Sequence, residues 1–386
     1  MKVIVKRCED YNLELVTQKI KESIDELGGI TSLIKQNDRV FIKCNCLGPF
    51  APSQAITTHP IFLKAVIELV KEVTTDITVG DNPAVKDLVL TLKKNGLYEV
   101  IQEEGVKILN NKDLVVIKNP SYKVYSEFEV SKGMIDTDVF INLPKLKTHS
   151  LAYITCAQKN LFGFIYGLNK SAWHIKASNP LQFGEAINDL YGAIQESFKG
   201  KTFLNICDGI LGLEGEGPST GGSPKKANTI LTSLNAVSLD RIALEVMGLD
   251  YKKSFITRIA NERGFGEIDL DKIEIIGDEI VNNHFLAPKD SLSNAGLRFL
   301  KFKPLRNIFL EHPKIDHSKC IKCGECTRIC PPKTMQIKKG EYPHLTSTKC
   351  IRCWCCSEVC PQNAISKTKR PILGKIFFKE KNKEKE

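Results

Sequence analysis

Nine of the fourteen cysteines fall between Cys320 and Cys360. They form two matched runs. The first reads Cys320-Ile-Lys-Cys323-Gly-Glu-Cys326-Thr-Arg-Ile-Cys330-Pro331, the second Cys350-Ile-Arg-Cys353-Trp-Cys355-Cys356-Ser-Glu-Val-Cys360-Pro361. Both contain C-x2-C-x2-C-x3-C-P. Three thiolates at that spacing wrap one face of a cubane iron–sulfur cluster, and a fourth, ahead of the proline, reaches the neighbouring cluster. The spacing therefore assigns Cys320, Cys323, Cys326 and Cys360 to one [4Fe-4S] cluster, and Cys350, Cys353, Cys356 and Cys330 to a second. Cys355 is a ninth thiol outside this pattern. Zinc ribbons use two Cys pairs, and neither they nor a disulfide framework needs eight Cys in two matched runs. The segment is expected to carry electrons.

Outside this segment the reactive side chains follow predicted strands. Lys43 and Asn45 follow one strand and Asp81 another; Lys145, Lys147 and His149 follow a third, and Asp208, Glu214 and Glu216 a fourth. Open α/β sheets bind ligands beyond the carboxyl ends of their strands. The competing reading is that loops are polar anyway, and that Asp81 and Asp208 cap turns or helices. Lys145 and Lys147 lie on the same side of an extended segment. They suit an anionic substrate or a phosphate, with Lys43 as a third cation. His59 and His149 have the chemistry of proton donors or metal ligands, although a lone His is more often structural. Lys159 and Asn160 lie near a helix end, where a Lys also answers the helix dipole. The reading thus names His149, His59, Lys145, Lys147, Asp81 and Asp208 as catalytic candidates. Lys43, Asn45, Lys159, Asn160, Glu214 and Glu216 are cofactor-binding candidates. The Gly212–Gly222 loop lacks a Walker lysine and the Rossmann spacing, so nucleotide binding is not expected from it. Cys44 and Cys46, with Cys156 and Cys207, have two readings, a third metal site or buried free thiols.

The elements that must position these groups alternate between strand and helix. Apolar runs at 2–7, 39–43, 76–80, 138–143 and 202–207 read as strands. Helical spacing appears at 13–27, after Pro60, at 151–162 and at 181–198. This predicts an α/β fold, a mostly parallel sheet flanked by helices, plus a small α+β ferredoxin-like two-cluster domain. The expected divisions are 1–287 for the α/β domain, 288–313 for a basic amphipathic linker, 314–368 for the two-cluster domain and 369–386 for a charged tail. At 386 residues and 42% hydrophobic, the chain can bury a large core. No apolar run is long enough to span a bilayer. Met1-Lys-Val-Ile-Val-Lys-Arg reads as a strand rather than an export signal, and fourteen Cys then point to a reducing cytoplasm. Nothing in the basic residues resembles a nucleic-acid motif.

Several motifs together resemble a bacterial and archaeal family catalogued as domain of unknown function 362. They are Lys43-x-Asn45-x-Leu47-Gly48-Pro49, Thr57-Thr58-His59-Pro60, Gly80-Asp81-Asn82-Pro83, Asn142-Leu-Pro144-Lys145-Leu-Lys147-Thr148-His149, Lys159-Asn160-Leu-Phe162-Gly163 and Asp208-Gly209-Ile210 with Gly215-Glu216-Gly217-Pro218. Members are often fused to a bacterial-type two-[4Fe-4S] ferredoxin module. The resemblance implies that architecture and a redox role, and hands over no reaction. Cys44 and Cys46 depart from the family's first motif, where apolar residues or Pro are more usual. A weaker similarity, to the N-terminal domain of lactate racemase, rests on His59-Pro60, Gly80-Asp81, Lys159 and Gly163. That family uses a nickel-pincer nucleotide attached to a lysine. The His pattern here does not match it, so the similarity bears on fold alone.

The leading expectation is an iron–sulfur oxidoreductase passing low-potential electrons to a substrate or cofactor in the α/β crevice. Lys145 and Lys147 would hold an anion, and His149 or His59 would supply a proton. It implies a redox partner protein and an anionic small-molecule substrate, with no nucleic acid and no membrane span. Two alternatives stand beside it: an electron-transfer or docking subunit for a partner enzyme, and a metal or cofactor assembly protein using Cys44 and Cys46.

Overall fold

The computed structural model describes residues 1–83, 87–167, 169–177, 179–288, 306–369 and 371–373. Most of the expected basic linker, and most of the charged tail, lie outside these residues.

Strands Val40–Lys43 and Val139–Asn142 are buried at every position. Continuous apolar runs of this kind are what a parallel strand covered on both faces requires. They form the centre of a ten-stranded sheet. In spatial order its main path is Glu274–Gly277, Lys2–Arg7, Gly222–Ser233, Thr202–Gly215, Val139–Asn142, Val40–Lys43, Ile77–Gly80 and Lys107–Ile108. The last five are mutually parallel, and Gly222–Ser233 runs antiparallel to both its neighbours. Helices Leu13–Asp25 and Pro60–Lys71 pack on each other, as do Pro180–Ser197 and Phe255–Glu262. Leu114–Lys118 and Glu127–Ser131 pair with each other in a separate antiparallel sheet.

Three local expectations change. Thr202 opens a strand that does not stop at Cys207 but runs to Gly215, folding back through 216–221 into Gly222–Ser233. The first residues of the stretch that reads as a Gly-rich loop, 212–215, are therefore sheet, and 216–221 make the turn. The strand's glycines answer close packing: a Cβ on Gly209 would meet the Thr229 carbonyl oxygen at 2.7 Å, and one on Gly212 the Leu146 oxygen at 2.9 Å. Second, Lys145–His149 is itself a strand, parallel to this long one and antiparallel to Tyr153–Thr155. Third, residues 151–162 are not one helix. Only Ala157–Asn160 and Leu161–Phe164 make helical turns, because the preceding residues are drawn into sheet pairing.

The carboxyl ends of the central strands are tied by one buried ion pair. Lys43 Nζ donates to Asp81 Oδ1 at 2.8 Å, and both side chains are almost wholly enclosed. Asp81 Oδ2 accepts from the Cys46 amide at 2.8 Å, and Lys43 Nζ also donates to the Cys44 carbonyl. Gly163 packs directly over the pair, where a Cβ would lie 2.1 Å from Asp81 Oδ1.

Removing one partner strands a buried charge, which costs about 3–5 kcal/mol. Lys43→Met is expected to destabilise the fold by about that amount in urea denaturation followed by far-UV circular dichroism. A loss below about 1 kcal/mol would mean that the pair does not hold the strand ends together.

Candidate functional site

A crevice of about 790 Å³, measured out to its open mouth, lies beyond these strand ends. Its α/β wall includes Asn45, Asp81, Lys147, His149, Lys159, Asn160 and Lys170. Its other wall comes from the cysteine-rich module, through Ile329, Cys355, Glu358 and Val359.

An amide relay sets the floor. Lys147 Nζ donates to Asn45 Oδ1 at 2.7 Å, and Asn45 Nδ2 donates to Asn160 Oδ1 at 2.8 Å. Asn160 Nδ2 donates to Asn142 Oδ1, and Asn142 Nδ2 to Asn205 Oδ1. The turn carrying Lys159 and Asn160 is held from below by Asp240, whose two oxygens accept the Ala157 and Gln158 amides. Burial raises the Asp240 carboxyl to about 7.

The lysines divide into two kinds. Lys43 and Lys145 face carboxylates. Lys147 donates only to neutral oxygens, those of Asn45 and Ile56, and Lys159 lies over the Phe162 ring at 4.5 Å. Lys170 donates to the Asn82 carbonyl. Burial, then the nearby Lys159 and Lys145 charges, lower the Lys147 ammonium to about 7. Burial lowers Lys159 to about 8. A site with several desolvated cations favours an anion.

His149 is oriented by the backbone. Its Nδ1 accepts from the Leu151 and Ala152 amides at 3.1 and 3.2 Å, so the proton of the neutral ring sits on Nε2. Nε2 points across the seam to Glu358 Oε1, 3.6 Å away.

Other expected residues lie elsewhere. Lys145 Nζ donates to Asp208 Oδ2 at 2.8 Å and to the Tyr11 hydroxyl at 2.7 Å, and Tyr11 in turn donates to Asp208 Oδ1. His59 stacks on Tyr11 with centroids 3.6 Å apart and caps the Pro60–Lys71 helix through Nδ1, while its own amide donates to Asp208 Oδ2. Burial lowers His59 to about 4, so it is neutral near pH 7. This second polar group does not line the crevice. Lys145 and Lys147 therefore do not act as one anion clamp, because Asp208 stands in register beside Lys145 on the neighbouring strand. Glu214 accepts the Leu286 amide. Glu216 pairs with Lys367 at 2.7 Å, bridging the α/β domain and the cysteine-rich module. Lys170, Asn82, Cys355 and Glu358 also line the crevice, and none of them was among the site candidates named from sequence. Asn82 stood in the Gly80-Asp81-Asn82-Pro83 motif, Cys355 was noted as a ninth thiol beside the predicted ligand Cys356, and Glu358 lies two residues past that ligand.

Cys156 and Cys207 Sγ atoms lie 3.4 Å apart, and Cys44 neighbours Cys46, all buried. Among the described residues no three His, Cys, Asp or Glu side chains gather closely enough to hold a single metal ion. The four thiols divide into these two pairs.

The cysteine-rich module is built from two similar halves. Each cysteine run is bent by two residues in the left-handed region, Lys322 and Gly324 in the first, Arg352 and Trp354 in the second. Each then enters a helical turn, Glu325–Ile329 or Cys355–Glu358. Two small antiparallel pairs close the unit, Pro313–Ile315 with Ile365–Lys367 and Met335–Gln336 with His344–Leu345. Cys320, Cys323, Cys326 and Cys360 line one small apolar cavity of about 360 Å³ measured to its mouth. Burial and then the Cys323, Cys360 and Cys320 thiols push Cys326 up to about 12. Cys350 senses Cys353 and Cys330, and Cys356 senses Cys353, Cys350 and Cys330 among its neighbours. Backbone amides also point at sulfur: Ala364 N–H donates to Cys360 Sγ at 3.2 Å and Arg352 N–H to Cys350 Sγ at 3.4 Å. Soft thiols grouped around an apolar hollow with amide donors fit an iron–sulfur group.

Two family models match separate parts of the chain. Residues 40–245 match the model of a domain of unknown function, DUF362, and residues 312–361 that of a 4Fe-4S dicluster domain. A thylakoid-associated protein of Synechocystis sp. (strain ATCC 27184 / PCC 6803 / Kazusa) is 30% identical over 262 residues, covering 67% of this chain and 77% of that protein. Among solved structures, the lactate racemase apoprotein from Thermoanaerobacterium thermosaccharolyticum aligns with a TM-score of 0.34 at 14% identity, over 53% of this chain and 50% of that one. A Thermotoga maritima protein aligns with a TM-score of 0.36 at 12% identity, over 67% of this chain and 60% of that one. The chain thus spans less than two thirds of either structure. Among the described residues, no helix is long and apolar enough to cross a membrane.

Lys147 is charged below about pH 7 and neutral above it. An unfolded lysine titrates near 10.4, so the cost of burying this one is greatest below pH 7 and fades as pH rises towards that value. Anion binding runs the other way. Sulfate, whose charge is fixed in this range, is expected to bind more weakly at pH 8 than at pH 6 in calorimetry. The factor is about tenfold, from losing one charge-assisted hydrogen bond of about 1.5 kcal/mol. A flat profile would remove Lys147 from the anion site.

Proposed function

Because the chain belongs to the DUF362 family and carries an iron–sulfur dicluster domain, we propose that it is an oxidoreductase exchanging electrons with an anionic small molecule in the crevice. The observation that carries this reading is the shared wall. The cations that would hold a ligand come from the α/β domain, and the facing surface, Ile329, Cys355, Glu358 and Val359, comes from the cysteine-rich module. Sites between two modules are common places for ligands.

The division of labour follows from the side chains. Lys147 and Lys159 bind and orient the anion, Asn45 and Asn160 fix Lys147, and His149 presents its Nε2 proton to the crevice. The Phe162 and Phe183 rings keep water from the inner wall. In the cysteine-rich module two [4Fe-4S] groups are proposed. Cys320, Cys323, Cys326 and Cys360 hold one, and Cys350, Cys353, Cys356 and Cys330 the other, with Cys355 outside both sets. Bound there, they would supply one-electron transfer. The domain divisions expected from sequence, and a cytoplasmic setting, belong to the same proposal.

Anaerobic purification with metal analysis and mass spectrometry tests it. About eight irons per chain are expected, and Cys356→Ser should lower the count and the visible absorbance while Cys355→Ser leaves both in place. A small anion or cofactor retained by the wild-type chain should be lost in Lys147→Gln with the iron content unchanged. Eight irons with a crevice that retains no ligand and binds no anion would sink the enzyme reading and favour a docking subunit.

A further inference from the structure

The two cysteine runs share one motif but not one environment. The module's Ile329, Cys355 and Val359 face the crevice. Outside that wall Cys323 is exposed, Cys320 half-buried and Ile321 60% exposed. The surface around these residues is cationic. Residues 314–368 hold ten Lys and Arg against four Asp and Glu. Of those four carboxylates Glu325 is buried, Glu358 faces the crevice, Asp316 is half-buried and accepts from the Ser318 amide and hydroxyl, and Glu341 is exposed.

The cations are placed around the exposed thiol. Lys319 and Lys322 flank the run itself and are exposed. Lys322 Nζ donates to the Gly340 carbonyl at 2.7 Å and lies over the Tyr342 ring at 4.3 Å. That contact draws the 337–341 turn, with exposed Lys338 and Lys339, against the same surface. His317 stacks on Tyr342 at 4.2 Å, completing a small aromatic shelf. A half-apolar spot at an electron-carrying thiol, ringed by charges of one sign, is suited to brief, charge-steered encounters.

We propose that this surface is the docking face for a small acidic one-electron carrier protein. One electron leaves the reduced member of the pair and is taken up by the oxidised one, at a surface that does not line the crevice. The partner is a protein rather than an anionic membrane because the cations ring a cluster thiol and only a small apolar spot accompanies them. The inference rests on the iron–sulfur module and not on what the crevice binds.

The test uses the full chain, purified anaerobically, and a small acidic ferredoxin as probe. Stopped-flow electron exchange and complex formation by calorimetry are both expected to weaken steeply with added salt. Lys338→Glu with Lys339→Glu, in a turn remote from the thiols in sequence, should slow exchange on the order of tenfold or more and flatten its salt dependence. Photoreduction by a small neutral deazaflavin should be unchanged. If the double variant alters the visible spectrum, Lys338→Gln alone should give a smaller effect in the same direction. Exchange and binding that ignore both the substitutions and salt would overturn the proposal. So would variants that keep normal exchange but no longer sediment with phosphatidylserine–phosphatidylcholine vesicles, which would assign the face to a membrane.

Discussion

The arrangement depends on the Lys43–Asp81 pair. Two charges withdrawn from water are tolerated only when each is closely compensated. Here the compensation is also architectural. Lys43 ends one central strand and Asp81 follows the next. Asp81 fixes the Cys46 and Asn82 amides, and Lys43 reaches the Cys44 carbonyl. The turn bearing Gly163 lies over both. One pair therefore sets two strand-end loops and the segment that brings Lys159 and Asn160 to the crevice.

That pair also decides which cations are left over. Asp81 is committed to Lys43, and Asp208 to Lys145 and Tyr11. Lys147, Lys159 and Lys170 then meet amide oxygens, carbonyls and aromatic rings. The leading carboxylate for Lys159 comes from the other module, as Glu358, whereas Lys147 feels Asp81 first and Glu358 after it. The charge of the crevice is thus a property of the two modules together. A ligand carboxylate or phosphate would replace water on cations already desolvated by the fold, so its charge would act in a medium of low dielectric.

The cysteine module was legible from sequence because ligand spacing is a local constraint: three thiols must reach one face of a compact group within seven residues. The crevice was legible as a set of strand ends for a similar reason, since parallel strands deliver their following residues to one edge. What failed was the pairing within the set. Lys145 and Lys147 share a side of their strand, yet Asp208 claims the first, and that depends on a register with a strand sixty residues away. Strand 202–215 was cut short because glycine disfavours strands, whereas Gly209 and Gly212 are there so that neighbouring backbone can approach. Lys170 carried no local pattern at all, and Cys355 showed only as a ninth thiol with no place assigned to it. His59 illustrates the converse. A helix-capping histidine stacked on Tyr11 looks, in sequence, the same as one in a site.

The duplicated cysteine motif gives near-identical backbones at the two runs, with left-handed residues at matching positions. Sequence symmetry alone would make the two halves interchangeable. Docking removes the equivalence. Ile329 and Val359, at matching positions, both line the crevice, but Cys355 lines it where the first run has Glu325, the Cys360 carbonyl accepts from Thr220 Oγ1 at 3.0 Å, and Cys323 is exposed where Cys353 is buried. Lys367 joins Glu216 across the same seam. A unit that is symmetric by itself becomes directional through the surface it is fixed to, with one face cationic and open to solvent and another closed against the α/β domain. On the proposed function, the polarity of electron flow then resides in the seam between the modules, and substitutions at Glu216 or Thr220 act on that coupling without touching a thiol.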